Sequence, residues 1–383
     1  MNKKLLSIVF SLLLIVICLA GCSENNDQQT TDDSDINNND NTGPDSNGDQ
    51  NDSGYNGAEE ITFTEYMFEL DKVNYIVPLG ELEGGWEEMN VNIMALVHIK
   101  TTGDYGSPSL TMEVYAPTDV TLSSYSYYGY GDHPPTWTLI FEINSDITLT
   151  LSALTDVPDK IKNVVGTEYT TGEINVATPI SFTPGELIGY AGGSADVTNW
   201  DILLYDKNHE NQFVNQDRYK ATYQGERYIT ARCPFDFYPD EMKQEYLNLL
   251  GFTEAGLTTD CGCGSKDVKG TLSGAWWLST EGTDIEEQGM FTSPLFIYNN
   301  SAGGTSLGYV NKKRYKIRSD NPTNKDPATI TDEHCYQLRS AWDGSSEGYA
   351  YFKIISDTEM RLATGTSGTC PSTFPDEYVT YYR

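Results

Sequence analysis

From Ile61 onward, apolar and polar residues alternate in short runs. Gly, Pro, Asn and Asp break those runs about every 8–12 residues, the spacing of an all-β chain. In 136–143 and 147–154 the apolar residues recur at roughly every second position, which predicts strands with one face on a core. Further strands are predicted over 61–68, 91–99, 110–115, 187–190 and 201–205. One segment departs from this rhythm. Residues 239–250 read as a helix, with Pro239 in the first turn and Asp240 and Glu241 at the positive end of the dipole. Met242, Tyr246, Leu249 and Leu250 share one helical face, and Gly251 suits the C′ position. This helix is expected at the seam between two β units. A second run of strands begins near Lys266 and ends over 378–382. In Gly274-Ala275-Trp276-Trp277-Leu278 the adjacent tryptophans must face opposite sides of a strand, one toward a core and the other toward an interface.

The start of the chain has a different pattern. Lys3 and Lys4 precede the apolar run 5–20, which at about 1.5 Å per residue is short for a bilayer core of roughly 30 Å. A basic head, a short apolar body and small residues form an export signal. Leu19-Ala20-Gly21-Cys22 resembles the bacterial lipobox, which implies cleavage before Cys22 and lipid on its sulfur. Two or more acyl chains suffice for stable anchoring, at about 0.8 kcal/mol per buried CH₂. The resemblance places the protein on the cell membrane or outer membrane, facing the periplasm or exterior. Ser23, rather than Asp, points to the outer membrane in a cell that has two. Residues 22–60 are nearly all Asn, Asp, Ser, Gly, Thr and Gln, too polar to offset ordering entropy, and read as a disordered tether. Asp45-Ser46-Asn47-Gly48-Asp49 lacks the closing Glu of a calcium loop and reads as linker.

After Glu60 about 320 residues remain, enough for two ordinary domains. The expected organisation is a signal at 1–21, the tether at 22–60, a β domain at 61–232, a helical connector at 233–265 and a small cysteine-containing β domain at 266–383. The formal charge of the chain is −32. The tether holds eleven of the acids and no base, and the folded remainder stays strongly acidic. Such a surface repels nucleic acid at long range. With Cys18 lost in the signal and Cys22 lipidated, five thiols remain in an oxidising compartment, where disulfides are the default. Cys335 and Cys370, both in the last domain, form the preferred pair. Cys233 pairs with Cys261 or Cys263, leaving one thiol over. A zinc site on Cys261-Gly262-Cys263 has the wrong spacing and lacks a second half-site.

Three stretches of the first β unit resemble the lysostaphin-type zinc endopeptidases that cut peptidoglycan cross-links. Val114-Tyr115-Ala116-Pro117-Thr118-Asp119-Val120 is similar to the family's V-x-A-P-x-D-G-x-V hairpin. Residues 182–192, Phe-Thr-Pro-Gly-Glu-Leu-Ile-Gly-Tyr-Ala-Gly, are similar to its V-x-x-G-x-x-I-G-x-x-G turn and strand. Asp201-Ile202-Leu203-Leu204-Tyr205 stands where the family has H-L-H-F-E. The resemblance spans about 140 residues, from Pro78 to Arg218, an ordinary domain size, and implies a barrel-sandwich fold. The family's chemistry does not carry over. A catalytic zinc of this kind needs three protein ligands and an open position for water. The H-x-H positions read Asp201 and Leu203, Ala153 replaces another family His, and Thr102 follows His98 where an Asp is expected. The chain has four histidines, His98, His133, His209 and His334; His98 lies in an apolar strand and reads as a core or edge residue. The implied protein is a relative without its metal, with no cofactor expected. The segment Cys233-Pro234-Phe235-Asp236-Phe237-Tyr238 and the Gly-x-Trp motif after it are similar to those of exported proteins that join such a barrel to a cysteine-bearing β unit.

The expected function is therefore a noncatalytic, membrane-anchored envelope module that binds cell-wall glycan or peptide, or another envelope protein. Tyr125, Tyr127, Tyr128 and Tyr130, interleaved with Ser and Gly, are the candidate binding aromatics, against the plainer reading of cross-strand packing. The alternatives are a zinc-dependent peptidoglycan endopeptidase with atypical ligands, a glycan hydrolase using paired carboxylates and a purely structural role. For the hydrolase, Asp284-Ile285-Glu286-Glu287 reads as a solvated loop.

Overall fold

The computed structural model describes residues 61–84, 91–103, 108–129, 134–170, 172–221, 225–251, 261–262, 266–278, 280, 294–300, 303–310, 313–318, 320–339, 345–366 and 368–383. Cys22, the tether, Tyr130, His133, Cys263 and residues 284–287 lie outside the described residues.

The chain is mainly β, as its alternation predicts. The first unit contains β1 (Val73–Val77), β2 (Leu82–Gly84), β3 (Val91–Ile93), β4 (Val97–Thr101), β5 (Thr111–Tyr115) and β6 (Val120–Tyr128). It continues with β7 (Thr136–Glu142), β8 (Ile147–Leu154), β9 (Ile174–Phe182), β10 (Leu187–Gly192) and β11 (Asn199–Asp206). Seven of these form an antiparallel sheet in the order β1-β4-β11-β8-β7-β6-β9, while β5 and β10 form a separate two-stranded ribbon. Alternation decides what each face does. Val97, Ile99, Trp200, Ile202, Leu149, Leu151, Leu139 and Phe141 point inward and share one core with Met112, Val114, Ile188 and Ala191 of the ribbon. The outward positions of β4, β11, β8 and β7 are half-buried.

Three predictions change. The strand predicted over 91–99 divides into β3 and β4, which belong to different sheets. Residues 61–68 form no strand and make only an isolated bridge, Phe68 to Val114. The segment still reads apolar because Phe63 and Phe68 are core residues, Phe63 stacking on Phe237 and Phe68 meeting Trp200 edge-on. The predicted helix is shorter, Asp240–Leu247, and its C-cap is Asn248 rather than Gly251. Leu249 and Leu250 leave it to run beside β1, where the Ile76 N–H donates to the Leu249 carbonyl and the Gly251 N–H to the Ile76 carbonyl. This helix packs into the first unit. Tyr246 stacks on Phe235 at 4.5 Å and takes a hydrogen bond from the Met67 N–H.

The second unit has two four-stranded antiparallel sheets. One contains β12 (Gly274–Trp276), β13 (Leu295–Asn299), β14 (Thr305–Val310) and β15 (Lys313–Ile317). The other contains β16 (Glu333–Arg339), β17 (Ser346–Ser356), β18 (Glu359–Gly365) and β19 (Val379–Tyr382). The two tryptophans do face opposite ways, and both are buried. Trp276 lies in the second unit's own core with Leu295 and Ile297, while Ala275, Trp277, Phe296 and Tyr298 belong to the core of the first unit. The expected interface is thus the intramolecular seam. Cys335 is joined to Cys370 and Cys233 to Cys261. Among the described residues no helix is long and apolar enough to cross a membrane.

Candidate functional site

Of the residues compared with zinc ligands in the sequence, His98 and Asp201 meet on the outer face of the seven-stranded sheet. Register places His98 of β4 opposite Asp201 of β11, and Asp201 opposite Ser152 of β8. His98 Nδ1 and Asp201 Oδ1 are 2.6 Å apart, both side chains half-buried. The Ser152 hydroxyl is paired with Thr138 of β7 at 3.1 Å. Leu203, the next outward residue on β11, lies opposite Thr150. His98 is therefore not an isolated edge residue: cross-strand register gives it a carboxylate partner that sequence spacing alone did not reveal.

A histidine–carboxylate pair can orient an imidazole and move a proton. It does not make a catalytic zinc site. Asp201 and His98 supply two donors, Leu203 supplies none, and Thr102 lies beyond the pair at the exposed end of β4. Among the described residues no group of three or more His, Cys, Asp or Glu is placed to hold a metal ion. The residues present do not fit the metal that the resemblance implies. His209 bonds the Asn211 side chain, and His334 the Thr323 carbonyl, in other parts of the fold.

Ala153 decides the shape of this rim. Between the pairs Trp137–Leu154 and Leu139–Leu151, two residues of β8 face one residue of β7, which is a β-bulge at Ser152 and Ala153. Ala153 has φ of 60°, the left-handed region that side chains disfavour by about 1–2 kcal/mol. Ala153→Gly is expected to stabilise the protein by about 0.5–1 kcal/mol, since relief of this strain outweighs the added freedom of the unfolded chain. A shift of the urea midpoint to higher concentration checks this; a lower midpoint would show that the Ala153 methyl contributes more by packing.

Just past the bulge, β8 ends at a cleft of about 580 Å³. Its walls include Pro134, Pro135, Thr155, Asp156, Pro158, Lys162, Tyr190 and Gly193. Lys162 and Asp156 form an ion pair at 2.7 Å, and the Thr155 hydroxyl donates to the Gly192 carbonyl. Gly192 has φ of 70°, and a Cβ there would run into the Leu110 carbonyl, so glycine is required where the ribbon meets the cleft.

The predicted aromatics differ in their surroundings. Tyr125 is buried, and its hydroxyl donates to the Val165 carbonyl, so it is a packing residue. Tyr128 is half-buried. Tyr127 is the middle ring of a stack: it lies 4.1 Å from Trp137 at 17° and 5.4 Å from Tyr169 at 14°. Burial, then Tyr169 and Asp156, raise the pKa of Tyr127 above its ordinary value, while Lys162 lowers it. Tyr169, which ends the stack, is 69% exposed. Sequence reasoning missed Tyr169, Trp137, Asp156 and Lys162; Tyr169 stands in a polar stretch with no periodicity to mark it.

A second cleft, of about 470 Å³, is lined by Glu65, Tyr66, Glu69, Asp71, Tyr115 and Glu245 among others. The neighbouring Glu113 accepts the Tyr115 hydroxyl and pushes its pKa up to about 12, and Tyr66 donates to Glu245. No protein-family model matches the chain, and no curated protein matches it in sequence.

Proposed function

We propose that this is an exported lipoprotein, anchored through Cys22, whose first β unit is a noncatalytic module binding cell-wall material or an envelope partner. The observation that carries the reading is the rim of the large sheet. A formed cleft opens at the end of β8, and of the residues that the resemblance sets against zinc ligands, His98 and Asp201 are bonded to each other. Concave sites with a few convergent polar groups are the default places for ligands. The acidic charge disfavours nucleic acid and anionic polymers.

Co-sedimentation of the signal-less, non-lipidated protein (Cys22→Ser) with purified sacculi tests the cell-wall form. Retention above that of an acidic control protein is expected, and equal pelleting would remove this form of the proposal. The alternative, a zinc endopeptidase with atypical ligands, takes its support from the adjacency of His98 and Asp201. Stoichiometric zinc after stripping and refilling, with release of stem peptides from the same sacculi, would favour it over the binding module.

A further inference from the structure

We infer that the exposed ring of Tyr169, at the end of a three-ring stack, is a saccharide platform that takes the apolar face of a pyranose ring. The inference rests on the binding-module reading and names its ligand class.

Three rings build the platform. Trp137 is 2% exposed and forms its base, Tyr127 lies flat on Trp137, and Tyr169 lies nearly flat on Tyr127. The backbone locks this order. Tyr127 is paired with Trp137 across β6 and β7. The Thr170 N–H donates to the Tyr127 carbonyl, and the Tyr127 N–H donates to the Thr170 hydroxyl. The residue following Tyr169 is thus tied to the strand that carries the middle ring. An aromatic ring already held at one orientation loses little entropy when a ligand stacks on its open side.

The polar partners are adjacent. Pro134 and Pro135, which lead into β7 and Trp137, line the cleft, as do Asp156 and Lys162. Trp137 is paired with Leu154, the residue before Thr155 and Asp156, so the cleft begins on the strand next to the base of the stack. A sugar presents an apolar face of C–H groups and a rim of hydroxyls that donate and accept. An exposed ring that ends a stack, with a polar cleft starting on a neighbouring strand, matches both features. A nucleobase would stack equally well, but its phosphates would meet a chain of net charge −32. A protein partner usually needs roughly 800 Å² from each side, far more than the face of one tyrosine ring offers.

The test uses the mature-length chain with Cys22→Ser, titrated with chitotetraose and cellotetraose. Binding is followed by saturation-transfer NMR and by tryptophan fluorescence, because Trp137 lies at the base of the stack. At least one of the two is expected to bind. Tyr169→Ala should weaken that binding by about ten-fold or more, and Tyr169→Phe should leave it within about two-fold, because the ring rather than the hydroxyl supplies the contact. Unchanged melting temperatures would show that both variants stay folded, as an exposed side chain allows. No binding of either sugar at about 10 mM, well into the weak regime, would overturn the platform, as would equal binding by Tyr169→Ala. Sacculi retained equally by wild type and Tyr169→Ala would sink the platform and leave the cell-wall reading standing. Oligosaccharide binding through Tyr169 without retention on sacculi would do the reverse.

Discussion

Trp277→Ala is expected to destabilise the protein by about 3–5 kcal/mol and to split one urea transition into two. Trp277 is 2% exposed and belongs to the first unit's core although it follows β12 of the second. Tyr219 meets its ring edge-on at 5.6 Å, and the Arg218 guanidinium lies 4.6 Å above it. The seam also contains the Tyr219 and Tyr298 hydroxyls, bonded at 2.8 Å, and the Val214 N–H, which donates to Asp267. Deleting the indole leaves a cavity between the units, so cooperativity should fall with stability. Trp276→Ala is the control. It removes a ring of the same size from the second unit's own core, so only that unit should weaken. If Trp277→Ala left a single, unshifted transition, the seam would not couple the units.

Arg383→Met should cost about 3–5 kcal/mol near pH 7, because it leaves the Asp267 carboxylate buried without its counter-charge. The two side chains are fully buried, with Arg383 Nη2 at 3.6 Å from Asp267 Oδ1. That oxygen accepts no hydrogen bond from the described residues. Burial pushes the Asp267 pKa above the ordinary carboxylate value. Arg383, the Val214 N–H and the Tyr219 hydroxyl pull it back. Because the folded value exceeds the unfolded one, the stability this group contributes is complete below the unfolded range. It is lost as pH rises through the folded value. Removing the guanidinium raises the folded value further, so the deficit of the variant should be largest at neutral pH and shrink toward about pH 4. A pH-independent residue should persist, since Arg383 also donates to the Val268, Thr271 and Ser273 carbonyls. Stability curves of wild type and variant between these pH values read the difference. A deficit flat with pH would assign the whole cost to those carbonyls.

How much of the site could be read in advance depended on the range of the forces involved. The alternation in β7 and β8 is a local consequence of strand geometry, so the inner faces with Leu139, Phe141, Leu149 and Leu151 were legible residue by residue. The same rule sent Trp276 and Trp277 to opposite sides. It could not say that each would find a core, Trp276 in the second unit and Trp277 in the first. Tyr125 and Tyr127 look alike in sequence, two residues apart on β6. One is buried, while the other is the middle of a stack because Trp137 lies under it and Tyr169 over it. The segment 61–68 was misread because an apolar stretch can be buried without pairing as a strand.

Local periodicity and composition were enough for the mainly β class, the outward and inward faces and the pair Cys335–Cys370, because each follows from neighbours in the chain or within one domain. Contacts between distant segments had to come from the folded chain. His98 meets Asp201 across 103 residues, Tyr169 meets Tyr127 through the pinning of Thr170, and Asp267 meets Arg383 across the second unit. Such contacts are set by strand order and by register, and a one-residue slip in register would turn strand residues such as His98 and Asp201 to the other face.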